Sequence, residues 1–263
     1  MNEIIKWIQK ITSHNNVIIA SRGNEAIKFA LENIKIILGK GSIEKKIILI
    51  PDQGGWLSYK KIPIELGFEI RELKTDKGVI ILDELEKSLD NVAAFLFTSF
   101  AGYYAEQPLE EISKICRGKN VFVIEDASGS FGDKKLCNGK LSDFIVSSFG
   151  EGKVVNYGKY GFVSTNLTLQ CDELKEVEDG LKEKVLMAPQ RLKKLLRLSK
   201  KVKEELKDFN IFHREKKGVN VITEFDERII DYCKRKNYES VICPKYYKVN
   251  EKAISIELKR LDL

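Results

Sequence analysis

Four short stretches hold residue types suited to gripping a phosphate, covering a flat ring, holding a proton and attacking a carbonyl. Ser21-Arg22-Gly23-Asn24-Glu25-Ala26 reads as a strand-to-helix turn. Glycine lets the backbone approach a ligand there, and the first helical turn offers unpaired N–H groups to an anion such as a phosphate. The ordinary alternative is a plain turn capped by Asn24, with Glu25 complementing the helix dipole. Pro51-Asp52-Gln53-Gly54-Gly55-Trp56 sets a large ring just past a strand, behind two glycines. That ring either packs in the core or stacks on a planar ligand for which the glycines leave room. Val123-Ile124-Glu125-Asp126-Ala127 ends an apolar strand in two acids. Period two sends them to opposite faces, so one can meet a ligand; a solvated strand end or a cap is the bland reading. Ser147-Ser148-Phe149-Gly150-Glu151-Gly152-Lys153, followed by Gly158 and Gly161, brackets a lysine with glycines. Such a lysine is an exposed charge or a Schiff-base nucleophile.

The elements that must position these residues follow from hydrophobic periodicity. From 17 to about 170, apolar β-branched runs alternate with helix-period stretches, the pattern of a sheet with crossover helices. Strands are expected over 17–20, 47–50, 68–73, 93–98 and 121–125, and helices over 24–38, 56–66, 82–89 and 109–116. The strands 144–148 and 162–165 are separated by a loop rather than a helix, which predicts a mixed sheet there. Residues 172–209 carry a charged helical pattern broken at Pro189, predicting two linking helices. A strand from 219, a helix over 226–236 and strands over 241–243 and 253–258 form a small α/β unit. The expected division is a large domain over 1–170 and linking helices with a small domain over 171–263. Ligands of open parallel sheets bind beyond the carboxyl ends of the strands, where all four stretches fall.

Composition limits the function classes. The chain has 263 residues, 43% hydrophobic and 32% charged, enough to bury a core. Its 45 basic against 39 acidic residues leave +6, spread thinly rather than gathered on one face. Lys193, Lys194, Arg197, Lys200, Lys201 and Lys203 form a basic run that nucleic acid would find attractive. Interleaved with apolar residues at helical spacing, it reads as a solvated helix face, and nucleic acid is not the expected partner. Five scattered cysteines with no C-x-x-C pair, and only His14 and His213 as companions, predict no metal site and no disulfide framework. Neither Cys137 nor His213 has a partner visible in the sequence. No apolar run approaches the roughly 20 residues of a membrane span, and the start lacks a targeting pattern. A reducing, cytoplasmic protein is expected.

The order of these stretches, phosphate turn, aromatic, strand-end acid and glycine-flanked lysine, resembles a fold-type I pyridoxal-phosphate enzyme. Residues 93–165 resemble the DegT/StrS-like sugar aminotransferase family. The acid-Asp-Ala strand end is Glu125-Asp126-Ala127, the Ser-Phe-x-x-x-Lys loop ends in Lys153, and a glycine-rich strand follows at Gly158-Lys159-Tyr160-Gly161-Phe162-Val163. Gly23-Asn24-Glu25-Ala26 is similar to the Gly-Thr-Glu-Ala phosphate turn of the wider fold. The resemblance implies an α/β architecture with a fold-type I large domain, a mostly parallel sheet with helices on both faces, and a reduced C-terminal small domain.

It also implies pyridoxal 5'-phosphate as cofactor, with Lys153 forming the Schiff base and Asp126 pairing with the pyridine nitrogen. Gly23, Asn24, Glu25 and Ser148 would hold the phosphate and Trp56 would cover the ring. The implied reaction moves an amino group from a small-molecule donor to a carbonyl acceptor, in a homodimer. Departures bear on this. Gly129 stands where the family has Gln, with Ser128 or Ser130 as candidate substitutes, Asn24 stands where a hydroxyl is usual, and Lys159-Tyr160 replaces an expected glutamate. With the chain shorter than most relatives, substrate recognition is expected to be altered or absent. A catalytically degenerate binding or scaffold module is the alternative, and a nucleic-acid-binding α/β protein a further one. Glu257 lies about where amino-acid-specific relatives carry a carboxylate-gripping arginine, and Arg260 sits near the end of the chain. A carboxylate at 257 would repel an amino acid's own carboxylate, so a keto-sugar or another carbonyl compound is the expected acceptor.

Overall fold

A computed structural model describes residues 1–39, 45–169 and 176–263. Helix α1 (Asn2–Thr12) precedes β1 (Asn16–Ala20) and α2 (Gly23–Gly39). Next come β2 (Ile47–Pro51), the short α3 (Ile62–Glu65), β3 (Glu69–Leu73) and a hairpin of β4 (Thr75–Asp76) with β5 (Val79–Ile80). After α4 (Leu82–Lys87) and β6 (Val92–Thr98) a second hairpin pairs β7 (Phe100–Ala101) with β8 (Ala105–Glu106). Helix α5 (Leu109–Gly118), β9 (Phe122–Asp126), β10 (Phe144–Ser148) and β11 (Gly161–Thr165) follow. Helix α6 (Leu181–Glu205) leads into β12 (Val221–Glu224), α7 (Glu227–Lys236), β13 (Ser240–Ile242) and β14 (Ala253–Ile256).

The large sheet has the order β1-β11-β10-β9-β6-β2-β3. Its strands run parallel except β11, which is antiparallel to both β1 and β10, so the sheet is mixed where the loop between β10 and β11 predicts it. Alternate residues feed opposite faces. Phe95, Phe97, Val123 and Ile145 join one core with α6, while Ala94, Leu96, Ile124 and Val146 join the other with Ala26, Ala30 and Ile34 of α2. That period-two division identifies a sheet buried on both faces. A smaller antiparallel sheet, β12-β14-β13, packs against α7 through Val221, Ile229, Ile254 and Ile256. Tyr104, Phe212 and Val249 belong to a cluster that joins the two units.

Two expectations change, and one helix was not expected. The pattern over 172–209 yields one helix from Leu181 to Glu205 with Pro189 inside it, not two, and residues 172–175 lie outside the described residues. Packing overrides the proline. Val185, Ala188 and Leu192 are buried in the large core, and Pro189 lies where a Cβ on Gly132 would meet it at 2.9 Å. Further along the same helix, Val202 enters the small core, so α6 does link the two units. The expected helix over 56–66 is a 3-10 turn (Leu57–Tyr59) followed by α3, because Pro63 restarts the chain at a helix N-terminus. The amphipathic α1, unread in the sequence, buries Ile4 and Ile8 on the large core. In the basic run Lys193, Lys194, Arg197, Lys200 and Lys201 are exposed, as a solvated helix face requires, and Lys203 is buried with its Nζ donating to the Arg214 and Lys216 carbonyls.

His14 fastens the junction of α1 and β1 to the adjacent β11 and to the loop before β10. Its Nε2 bonds the Ser142 carbonyl at 3.0 Å and its Nδ1 the Ser164 hydroxyl at 3.0 Å, while a Cβ on Gly139 would collide with the ring. A carbonyl only accepts, so Nε2 carries the proton and Nδ1 accepts from Ser164. Burial pushes the ring down from 6.5 to about 4. Because the folded value is depressed, the neutral ring's contribution is complete above the unfolded value and is lost as pH falls toward 4. Between pH 7 and pH 4 the wild type should lose about 3 kcal/mol more than His14→Gln in denaturant unfolding; equal losses would remove His14 as the titrating clamp.

Candidate active site

The loops that follow β1, β2, β6, β9 and β10 meet at one edge of the sheet and enclose about 410 Å³. Gly23, Asn24, Trp56, Asp126, Ser148 and Lys153 all line this space. Glu25 does not line it. Its carboxylate turns back to accept from the Ser21 amide and hydroxyl, each at 2.6 Å, and so fixes the turn from behind. Asn24 accepts from Trp56 Nε1 at 3.0 Å, which places the indole over the cavity. Gly23 is needed for a tight seam rather than for ligand approach, since a Cβ there would stand 2.5 Å from Ser148 Cβ. A Cβ on Gly161 would likewise collide with the Ser147 carbonyl oxygen.

Strand period two separates the acids at the end of β9. Glu125 is wholly buried on the other face, accepting from Ser99 and Ser142 hydroxyls and the Cys137 amide, and burial raises its carboxyl. Asp126 faces the cavity, its Oδ2 accepting from Tyr59 at 2.7 Å and its Oδ1 from the Ser128 amide at 2.9 Å. Lys153 Nζ lies 4.9 Å from the Trp56 ring centroid and 4.5 Å from that of Tyr103, and bonds the Tyr103 hydroxyl. Burial lowers the Lys153 ammonium below its ordinary value, against the opposing pull of Asp126 and Glu257. Burial, followed by the Asp126 and Glu257 charges, raises Tyr103 well above its ordinary value and keeps it a neutral phenol.

Comparison with known proteins identifies the family. The sequence profile of the DegT/DnrJ/EryC1/StrS aminotransferase family matches residues 6–183, more than half of the chain. The chain belongs to that family. A second profile, the MJ1341 family C-terminal domain, matches residues 189–263. A DegT DnrJ EryC1 StrS aminotransferase from Brucella abortus has a similar structure, with a TM-score of 0.73 at 16% identity, covering 97% of this chain and 84% of that one. NtdA from Bacillus subtilis, solved with bound cofactor PMP, has a TM-score of 0.70 at 14% identity, covering 97% and 72%. Identities this low carry the fold, which is that of fold-type I enzymes. The mitosomal cysteine desulfurase of Trachipleistophora hominis is 36% identical over 91 residues, which span 33% of this chain and one fifth (20%) of that protein.

The DegT-family cofactor is pyridoxal 5'-phosphate, and the residues present fit it. At the α2 N-terminus the Ser148 hydroxyl accepts from the Gly150 amide at 3.2 Å and lies 3.0 Å from where a Gly23 Cβ would stand, so a hydroxyl and the first helical amides converge where an anion would sit. A carboxylate, a lysine and a free indole face surround the remaining space, the donor set that the ring nitrogen, aldehyde and ring plane require. The departure at Gly129 has a steric cause. A Cβ there would lie 2.8 Å from the Tyr103 ring, so Tyr103 occupies the room that a longer side chain would need. Ser128 lines the cavity, whereas Ser130 is buried with its hydroxyl unpartnered.

Sequence reading missed Tyr59, Tyr103 and, beside Lys153, Lys248 and Lys259. Lys245-Tyr246-Tyr247-Lys248, a basic and aromatic run, was the one available signal for part of it. The seam at Gly23 gives a direct check. Gly23→Ala should weaken pyridoxal phosphate binding about tenfold or more in an absorbance titration, since overpacking of 1–3 kcal/mol falls on the phosphate cup. Gly39→Ala, at the open end of the same helix, should leave it unchanged.

Proposed function

We propose that the protein is a pyridoxal-phosphate-dependent aminotransferase, moving an amino group from a small-molecule donor to a carbonyl acceptor of the keto-sugar class. The observation that carries this reading is the convergence of Lys153 and Asp126 on one cavity closed by Trp56. Bound pyridoxal phosphate supplies an aldehyde for amine exchange and a protonated ring that withdraws electrons from the carbon losing its proton. Asp126, steadied by Tyr59 and the Ser128 amide, provides the carboxylate that keeps such a ring nitrogen protonated. Lys153 Nζ, lowered by burial, takes the substrate proton and returns it. Tyr103, bonded to that nitrogen, holds it in line and can pass it a proton. Trp56 and Tyr103 exclude water from the cavity floor.

Amino transfer is favoured over sulfur transfer by the cysteines. Sulfur abstraction needs a thiolate at the reacting centre, and Cys116, Cys137, Cys233 and Cys243 are buried and do not line the cavity at Lys153, with thiols raised by burial. Cys171 lies outside the described residues. A cytoplasmic homodimer divided into a large domain over 1–170 and a small domain over 171–263 belongs to the same proposal. No helix among the described residues is long and apolar enough to cross a membrane.

Borohydride reduction of the cofactor-loaded protein should fix pyridoxal phosphate on the peptide bearing Lys153. Lys153→Ala should abolish that trapping and reduce turnover at least about 100-fold, while Asp126→Asn should retain cofactor and lose most turnover. Trapping on another lysine would overturn the assignment, and failure to take up cofactor would leave the degenerate binding module as the better reading.

A further inference from the structure

A cleft of about 970 Å³ runs along α6 and shares no lining residue with the cavity at Lys153. Three walls enclose it: α6 itself, the loop over 132–135 after β9, and the segment over 214–218 that leads into β12. Each pair of walls is tied. Pro189 of α6 packs on Gly132, where a Cβ would stand 2.9 Å from it. Lys203 Nζ donates from α6 to the Arg214 and Lys216 carbonyls at 3.0 and 2.6 Å. Lys217 Nζ bridges Asp133 at 3.2 Å and Glu106 at 3.1 Å. The cleft is therefore built before anything enters it, which spares an occupant most of the ordering cost on this side.

Those bonds use Lys203 and Lys217 and leave other cations unanswered. Among the described residues, Lys134, Lys135, Lys193, Arg197, Lys200 and Lys216 line the cleft without a side-chain hydrogen bond or ion pair. Only two unpaired acids, Glu204 and Glu215, oppose them there. The apolar lining is as regular as the charge. Along α6, Pro189, Leu192 and Leu196 enter the cleft at i, i+3 and i+7, and Lys193, Arg197 and Lys200 flank them at i, i+4 and i+7. An apolar stripe of helical period bordered by cations is the complement of an apolar stripe bordered by acids. No aromatic side chain lines the cleft, so it lacks the stacking platform that single-stranded nucleic acid uses. A second copy of this chain, itself carrying +6, is a poor source of the missing negative charge.

We propose that the α6 cleft is a docking site for an acidic amphipathic helix of another protein. Pro189, Leu192 and Leu196 receive its apolar face, and the cations of the three walls receive its carboxylates. The proposal does not depend on the aminotransferase reading. An occupant there bears on both units at once, because Val185 and Val202 of the same helix enter the large and small cores.

The probe is a fluorescent peptide of about 14 residues, with leucines at i, i+3, i+4 and i+7 and glutamates elsewhere, read by anisotropy against the full chain. Polyglutamate of equal length and a single-stranded RNA of equal charge are the comparisons. The leucine peptide should saturate the protein and bind at least about tenfold more tightly than either, since it alone fills the apolar stripe. Reversing two charges together, Arg197→Glu with Lys200→Glu, should weaken it at least about tenfold. Arg235→Glu, an exposed cation of α7 outside the cleft, should leave it unchanged. Leu196→Ser should lower affinity for the leucine peptide and not for polyglutamate, and Leu196→Met should restore it; a misfolded variant would lose both ligands. Equal affinity for polyglutamate, tighter binding of the RNA, absence of saturation, or indifference to the double charge reversal would overturn the proposal. So would self-association in sedimentation that the charge reversal abolishes, which would assign the cleft to a second copy.

Discussion

Taking the Lys153 ammonium out of water is the constraint around which the site is built. Withdrawing such a charge costs several kcal/mol unless opposing groups are held in place. Here the opposing groups come from three places: Asp126 at the end of β9, the faces of Trp56 and Tyr103, and Glu257 just after β14. Each is fixed by a second bond of its own. Asn24 holds Trp56, Tyr59 and the Ser128 amide hold Asp126, and Lys248 with Ser255 holds Glu257. Tyr103 accepts at its carbonyl from the Val219 and Asn220 amides, so the ring beside Lys153 is tied to the segment leading into the small sheet.

The fold serves this by delivering loops to one edge. Parallel β1, β2, β6, β9 and β10 all end there, and the antiparallel β11 starts at that edge between the ends of β1 and β10. The closeness of Gly23 to Ser148 and of Gly161 to Ser147 draws the α2 N-terminus onto the end of β10. The proposed phosphate cup, made this way, depends on missing side chains as much as on present ones. The same holds at Gly129, whose bare backbone admits the Tyr103 ring.

Much of this was written in local pattern. The strand alternation, the acids at Glu125 and Asp126, and the glycines around Lys153 follow rules of period and turn chemistry that act over a few residues. What escaped reading acts over long separations. Pro189 looks like a helix break until Gly132 offers it a seat, and Glu257 looks like a repelling charge until Lys248 is placed against it. Tyr103 carries no local sign that its hydroxyl meets Lys153, fifty positions later in the chain. Glu25 shows the converse: its type and position suit a ligand contact, yet its nearest donors are its own turn's Ser21 groups.

The central claim is that Asp126 and Lys153 act on one bound ring, the acid at its nitrogen and the amine at its aldehyde carbon. The nitrogen-15 shift of ring-labelled pyridoxal phosphate bound to the protein tests it most directly. A pyridinium shift in the wild type that moves to the neutral-pyridine range in Asp126→Asn, with Lys153 still linked to the aldehyde carbon, is the predicted result. A neutral-pyridine shift in the wild type, or one indifferent to Asp126→Asn, would contradict the account.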